Sequence, residues 1–340
     1  MAEHLRVAVS GCHRMLLRDL THHNFAAAFN DVAETEVVGV FDYGEDTRAE
    51  FVTTWPDVWP DVPTFDDYDR MVGELKPDIV CIATRQTMHA DQVEAASGSG
   101  VRGVLCDKPL VTTLEEMDRL LSACGSIPLC FALDRRWDVS YRHICSHIDE
   151  WIGPVTSAVA YGLPNTINHG CHWYDALLGL IGDPTPEWVS GHLNEPDPDN
   201  ERSALDPSSR AVIGFDNGLV AHITSDGGKG PTFHITGENG KLSIQEDGKE
   251  AHVWREGSGV ESLSVPVPEI KWPTGPAMVA DLVKAVQDGE RTSCDVDQAR
   301  RATEIGFAIH HSSRENGARV ALADVDRSLR VESYPWGNEA

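Results

Sequence analysis

The sequence predicts an α/β fold in two parts. A doubly wound parallel sheet comes first, followed by an α+β domain with a large, mostly antiparallel open sheet. Three observations predict this. The first third alternates short apolar runs with helical patterns. Gly11, Asp42 and Asp107-Lys108 each stand where such a run ends. Beyond residue 155 the strand-length runs stop alternating with helices, and Asn-Gly turn signals appear at Asn217-Gly218 and Asn239-Gly240.

Residues 5–10 read as the first strand, running into Gly11, and a helical pattern follows. Residues 36–41 form the second, ending at Asp42. Phe65, Tyr68, Val72 and Leu75 keep the three-and-four spacing of a helix face. Runs at 78–83, 101–106 and 128–133 supply three more strands. Strands that are apolar almost throughout are buried on both faces, which requires helices on both sides of a parallel sheet. A nucleotide-binding domain is therefore expected over residues 1–125, because ligands of such sheets sit at the carboxyl ends of the strands.

Residues 126–340 are expected to form the second domain. Strand candidates lie at 155–161, 188–192, 211–215, 219–225, 232–236, 241–245 and 251–254. Helices are expected at 276–288 and 296–316, and the Pro-, Asp-, Asn- and Ser-rich stretch 194–209 reads as a loop.

Composition narrows the function classes. The 340 residues carry 54 Asp+Glu against 28 Lys+Arg, a formal charge of −26, which opposes binding to nucleic acid or an anionic membrane. No apolar run reaches the length of a membrane span, and residues 1–4 lack the apolar segment of a signal peptide. The eight cysteines form no C-x-x-C pair and read as buried reduced thiols. The expectation is a soluble, cytoplasmic protein. Lysine is scarce, at positions 76, 108, 229, 241, 249, 271 and 284 only, so Lys108 is poorly explained as surface filler.

Lys108 is the leading candidate for chemistry. It follows a strand, and Pro109 restricts its backbone, so the fold aims the ammonium. Gly11 is placed for a phosphate-binding turn, but Gly11-Cys12-His13-Arg14-Met15-Leu16 keeps only the first glycine of G-x-G-x-x-G. Arg14 offers a charge to a pyrophosphate. A carboxylate at the end of the second strand, Asp42, accepts ribose hydroxyls and repels a 2′-phosphate, which favours NAD over NADP. Asn168, His172 and Asp175 fall at i, i+4 and i+7 of an expected amphipathic helix, and a histidine takes a hydroxyl proton near neutrality. His169, Cys171 and His172 also invite a metal reading. Adjacent helical residues point apart and no second ligand pair is evident, so no metal is expected.

These residues, together with Ala83-Thr84 and His89, occur in an order that resembles the Gfo/Idh/MocA oxidoreductases, the glucose–fructose oxidoreductase and inositol dehydrogenase group. Asp107-Lys108-Pro109 resembles the usual Glu-Lys-Pro of that family, and Asp134-Arg135-Arg136-Trp137 its polar-Arg-aromatic stretch. The resemblance implies a Rossmann domain and an α/β domain whose open sheet mediates a homodimer or homotetramer. It implies NAD(P)-dependent oxidation of a sugar or cyclitol hydroxyl. It implies cofactor contacts from Gly11, His13, Arg14, Met15, Asp42, Thr84, Arg85, His89, Asp107, Lys108 and Pro109. Lys108, His172 and Asn168 are then the catalytic group, and Arg136, Trp137 and Asp175 contact substrate. Two departures stand out: His13 occupies the second glycine position, and Asn168 stands where many members carry aspartate. A cofactor-bound sensing protein without turnover, or an NAD-dependent redox-cycling glycosidase, are the alternatives.

Overall fold

The computed structural model describes residues 4–333 apart from Ser126, Pro198, Asn200 and Lys229. Its contacts form two compact units. One takes residues up to 111 with 116–137 and 269–297; the other takes 112–115, 138–268 and the residues from 298 on.

The first unit is built on a six-stranded parallel sheet. Its strands are β1 Leu5–Ser10, β2 Thr35–Phe41, β3 Thr64–Phe65, β4 Ile79–Ile82, β5 Gly103–Cys106 and β6 Leu129–Phe131. They lie in the order β3-β2-β1-β4-β5-β6, so the winding reverses between β1 and β4. Every residue of β4, β5 and β6 is buried, which explains their uninterrupted apolar sequences. The helices that follow are α1 Phe25–Asn30, α2 Glu45–Thr54, α3 Tyr68–Leu75, α4 Gln86–Gly98 and α5 Leu114–Ala123.

Two local expectations are corrected. The helix expected directly after Gly11 is a single 3-10 turn, His13–Met15, and α1 begins only at Phe25. The reason lies in Asn24. Its buried amide donates to Leu17 O (2.7 Å) and Asp19 O (2.8 Å) while its oxygen caps α1 by accepting from Ala27 N (3.1 Å). The intervening chain is thereby folded into a loop. Phe65 belongs to β3 rather than to the helix, because the Asp67 side chain accepts from Arg70 N (2.8 Å) and starts α3 at Tyr68.

The second unit holds a nine-stranded, mostly antiparallel sheet. After α6 Val139–Ile152 come β7 Val155–Tyr161, α7 Gly170–Leu180, β8 Pro186–Leu193, β9 Ser209–Phe215, β10 Val220–Thr224, β11 Thr232–Gly237, β12 Gly240–Gln245, β13 Glu250–Arg255 and β14 Gly259–Leu263. The chain ends with α8 Thr274–Asp288, α9 Val296–Arg314 and β15 Val320–Ala321. The sheet order is β14-β13-β12-β11-β7-β10-β9-β8-β15, and β7 with β10 is its parallel pair. Strand β14 carries no apolar alternation and is almost wholly exposed at the sheet edge, so its sequence does not announce it. Nothing in the sequence of α8 shows that it joins the first unit. It packs on β5 at Gly103, where a Cβ would lie 2.5 Å from the Val286 side chain.

Seven of the eight cysteines are buried and Cys145 is exposed. Among the described residues no helix is long and apolar enough to cross a membrane.

Candidate active site

In the first unit the polar residues at the carboxyl ends of β1, β2, β4 and β5 are placed by the parallel register. Gly11 follows β1 with φ +84°, and a Cβ there would lie 2.7 Å from Ala83 O. Only glycine fits this conformation and this close approach. Its N–H donates to Phe41 O (2.8 Å), and Ala83 N donates to Ser10 O (2.7 Å), which locks the three strand ends together.

Asp42 is partly exposed. Its Oδ2 accepts from Cys12 N (3.0 Å) and its Oδ1 from Gly44 N (2.9 Å). The carboxylate is therefore oriented by two backbone donors, with the Cys12 thiol also donating to Oδ2 (3.8 Å), and Oδ1 keeps a lone pair for a further donor. Arg48 reaches back to this strand end and donates through Nη1 to the carbonyls of Asp42 (2.5 Å) and Tyr43 (3.0 Å). Burial pushes the Cys12 thiol far above its ordinary range, with the Asp42 charge adding to the effect, so Cys12 stays protonated.

His13 and Arg14 are exposed on the 3-10 turn, while Met15 is fully buried in the core. The Met15 carbonyl accepts from Trp55 Nε1 (2.8 Å) and its N–H donates to Cys12 O (2.9 Å). Thr84 and Arg85 are half-buried after β4, and the Thr84 hydroxyl donates to Gln92 Oε1 (2.8 Å).

His89, on α4, is completely buried. Its Nδ1 lies 3.0 Å from Pro109 O and its Nε2 3.1 Å from Thr84 O. Burial holds its protonated form down, against the opposing pull of Asp107 and the carbonyls. A neutral imidazole has one N–H, so it donates to one of these carbonyls at a time. His89 thus stands between the loops that follow β4 and β5.

Lys108 is 9% exposed, and the Lys108–Pro109 bond is cis. Its N–H donates to its neighbour's carboxylate, Asp107 Oδ1, at 2.8 Å. The same oxygen lies 2.9 Å from His23 Nδ1. Burial pushes the Asp107 carboxyl up, but His23 and Lys108 together outweigh it and hold the group well below the usual carboxylate range. Sequence reasoning missed His23, whose partner lies 84 residues away.

Arg136 is half-buried in a 3-10 turn after β6. Trp137 is buried, and its indole N–H donates to Asp281 Oδ2 (3.0 Å), which ties it to α8.

The second unit places His172, Asn168 and Asp175 around the start of α7. His172 and Asp175 lie on the helix, half-buried and buried respectively. Asn168 does not: it sits in a turn ahead of Gly170, fully buried, so the shared helical face expected of all three residues is corrected to two. The cause is Asp206. Its Oδ1 accepts from Thr166 N (3.1 Å) and Ile167 N (2.8 Å), and its Oδ2 from Asn168 N (2.9 Å) and the Ser333 hydroxyl (2.5 Å). Three successive amides thus point at one buried carboxylate. His310 Nε2 lies 3.8 Å from Asp206 Oδ1. Asp206 falls in the stretch read as a loop, and nothing local in the sequence marks it as a buried acceptor. Among the described residues no group of three or more His, Cys, Asp or Glu is arranged to hold a metal ion.

Comparison with known proteins adds to this geometry. Residues 5–132 match the model of an oxidoreductase family with an NAD-binding Rossmann fold, and residues 162–322 match that family's C-terminal alpha/beta domain. The chain is 22% identical over 291 residues to D-xylose 1-dehydrogenase (NADP(+)) 2 of Haloferax volcanii, covering 77% of this chain and 86% of that protein. Against YteT of Bacillus subtilis, an oxidoreductase by name, it is 24% identical over 201 residues, half of this chain and 46% of that protein's length. Its fold is like that of levoglucosan dehydrogenase in complex with NADH and levoglucosan (TM-score 0.76, 19% identity, 94% of this chain and 99% of that one). It is also like that of myo-inositol 2-dehydrogenase from Lactobacillus plantarum (TM-score 0.73, 20% identity, 95% and 99%).

Proposed function

The chain belongs to the Gfo/Idh/MocA oxidoreductase family, and from that premise we propose that it is an NAD-dependent dehydrogenase of a sugar or polyol hydroxyl. The observation that carries the reading is the set Gly11, Asp42 and Lys108, at the carboxyl ends of β1, β2 and β5 of a reversing parallel sheet. The names of the Haloferax relative and of the two solved dehydrogenases support a hydroxyl-bearing carbohydrate or cyclitol as substrate.

The first unit fits a dinucleotide. Gly11 makes the tight turn that lets the β1 end pass close against the backbone after β4, and Asp42 presents an oriented carboxylate to a ribose. Glu45 and Asp46 in the first turn of α2 add negative charge beside Asp42, which disfavours a 2′-phosphate. Arg48, the nearby cation, is engaged with two backbone carbonyls. NAD is therefore the proposed cofactor, although the Haloferax relative is named for NADP(+).

When bound, the nicotinamide ring supplies the hydride acceptor. His172 takes the proton of the substrate hydroxyl on its imidazole. Lys108 Nζ donates to the same oxygen and stabilises the charge that develops there. The carbinol loses a hydride and a proton and becomes a carbonyl. Asn168 supports His172 as an uncharged partner, and Arg136 and Asp175 are the proposed contacts to the remaining hydroxyls. A homodimer or homotetramer would use the outward face of the nine-stranded sheet, where Val159 and Val212 flank His222 and none of the three is buried.

The test is NADH formation over a panel containing D-xylose, levoglucosan and myo-inositol, with calorimetry of NAD binding alongside. Reduction of NAD by one of these or a related polyol is the expected result. NAD binding without turnover on any of them would favour a sensing role. Aglycone release from a chromogenic glycoside at catalytic NAD would favour the glycosidase.

A further inference from the structure

We infer that His23 is a positioning residue that acts on Lys108 through Asp107. The inference rests on the proposed role of Lys108 in the reaction. His23 Nδ1 and the Lys108 backbone N–H meet on one oxygen, Asp107 Oδ1, at 2.9 and 2.8 Å. A partly buried carboxylate that accepts from both sides cannot rotate without losing both contacts, so the lysine's backbone is fixed by the histidine.

His23 is itself held in place. Its backbone is left-handed (φ +65°), a conformation uncommon for residues other than glycine, though histidine is among those that adopt it. The next residue, Asn24, is fully buried and closes the loop through Leu17 O and Asp19 O. The His23 ring also meets Phe25 edge-on at 6.3 Å, and Phe25 in turn meets Trp272 at 5.4 Å. The long loop in place of the expected helix thus delivers an imidazole to the acid beside the reactive lysine. The ionised state of Asp107, upheld by His23 and Lys108 against burial, agrees with this arrangement. His22 lies 3.8 Å from Asp134 and its ring meets Trp272 at 6.1 Å.

The low lysine count makes a direct test possible, independent of substrate. The full-length protein is trace-acetylated with acetic anhydride at one pH, and each lysine is read by peptide mass spectrometry. The other six lysines serve as internal references. In His23→Ala, Lys108 labelling relative to them should rise about threefold or more, as expected when a hydrogen bond to a charged group is lost. In His23→Gln, whose amide still donates to Asp107, labelling should return to within about 1.5-fold of the parent. Asp107→Leu, which removes the acceptor oxygens at similar volume, should reproduce the rise, which covers the case of an unstable alanine variant. Unchanged Lys108 labelling in His23→Ala or Asp107→Leu overturns the inference. So does a rise shared by all seven lysines.

Turnover on the panel substrate separates this inference from the reading beneath it. His23→Ala should lower kcat about tenfold with KM changed less than about twofold, and should add almost nothing in a Lys108→Ala background. If Lys108→Ala keeps turnover, the catalytic reading fails. If Lys108→Ala abolishes turnover and His23→Ala leaves it intact, only the role of His23 fails.

Discussion

Replacing Asp206 by alanine should destabilise the second unit far more than an ordinary loop substitution. The carboxylate is 4% exposed and accepts from three successive amides and one hydroxyl. Thr166 N has a second acceptor in Pro207 O (2.9 Å), so it is not orphaned by the change. Ile167 and Asn168 are both buried, and the change removes the carboxylate to which both their N–H groups donate. A buried donor left unsatisfied costs about 1–3 kcal/mol. Two of them, with the lost Ser333 contact, come to about 3–5 kcal/mol, at the top of what single substitutions do. At about 2–4 °C per kcal/mol for a domain of this size, the melting temperature should fall by roughly 6–20 °C. Asp206→Asn keeps one oxygen acceptor and should lose about half as much. The assay is a calorimetric or dichroism melt of both variants with parallel urea titrations. A fall of less than about 2 °C in the alanine variant would refute the reasoning, because the turn ahead of α7 would then be holding itself.

Other predictions follow from the strand-end cluster. Asp42→Ala should narrow the preference for NAD over NADP by about tenfold or more, since a negative charge is removed while Arg48 remains; calorimetric Kd values for both dinucleotides decide it, and an unmodified protein that prefers NADP contradicts it. His89 carries a linkage prediction. Burial lowers its folded-state pKa, so the unfolded chain binds the proton more readily. Its contribution to stability is complete above about pH 6.5, the ordinary histidine value, and is lost progressively as pH falls below it. Urea midpoints between about pH 8 and 5 should therefore fall on acidification, and the fall should be shallower in His89→Asn. Parallel curves for the two proteins would show that His89 is not the group responsible.

The sequence revealed those features that short-range chemistry controls. Strands β4 and β5 are apolar at every position because both their faces are covered, and such runs are visible in any window. Gly11, Asp42 and the pair Asp107-Lys108 were visible for the same reason: each stands where such a run ends. Local pattern failed where a distant partner decides the conformation. The residues after Gly11 carry helix-compatible spacing, yet the Asn24 amide folds them into a loop, and His23 ends beside an acid 84 residues away. Asn168 has the spacing to join His172 on a helix, but Asp206, 38 residues further on, draws its amide to a different acceptor. Phe65 shares the spacing of the α3 face and is taken instead by a two-residue strand paired with β2. Each miss is a tertiary contact overriding a periodicity.

The central claim is that Lys108 does chemistry, and one measurement tests it most directly: single-turnover and steady-state NADH formation by Lys108→Ala on whichever panel sugar the parent enzyme oxidises. A positioned charge-stabilising group contributes roughly a hundredfold or more. The account predicts a loss of turnover on that scale, with the Kd for NAD changed less than about threefold and the melting temperature preserved. A folded Lys108→Ala protein that reduces NAD at close to the parent rate would contradict it.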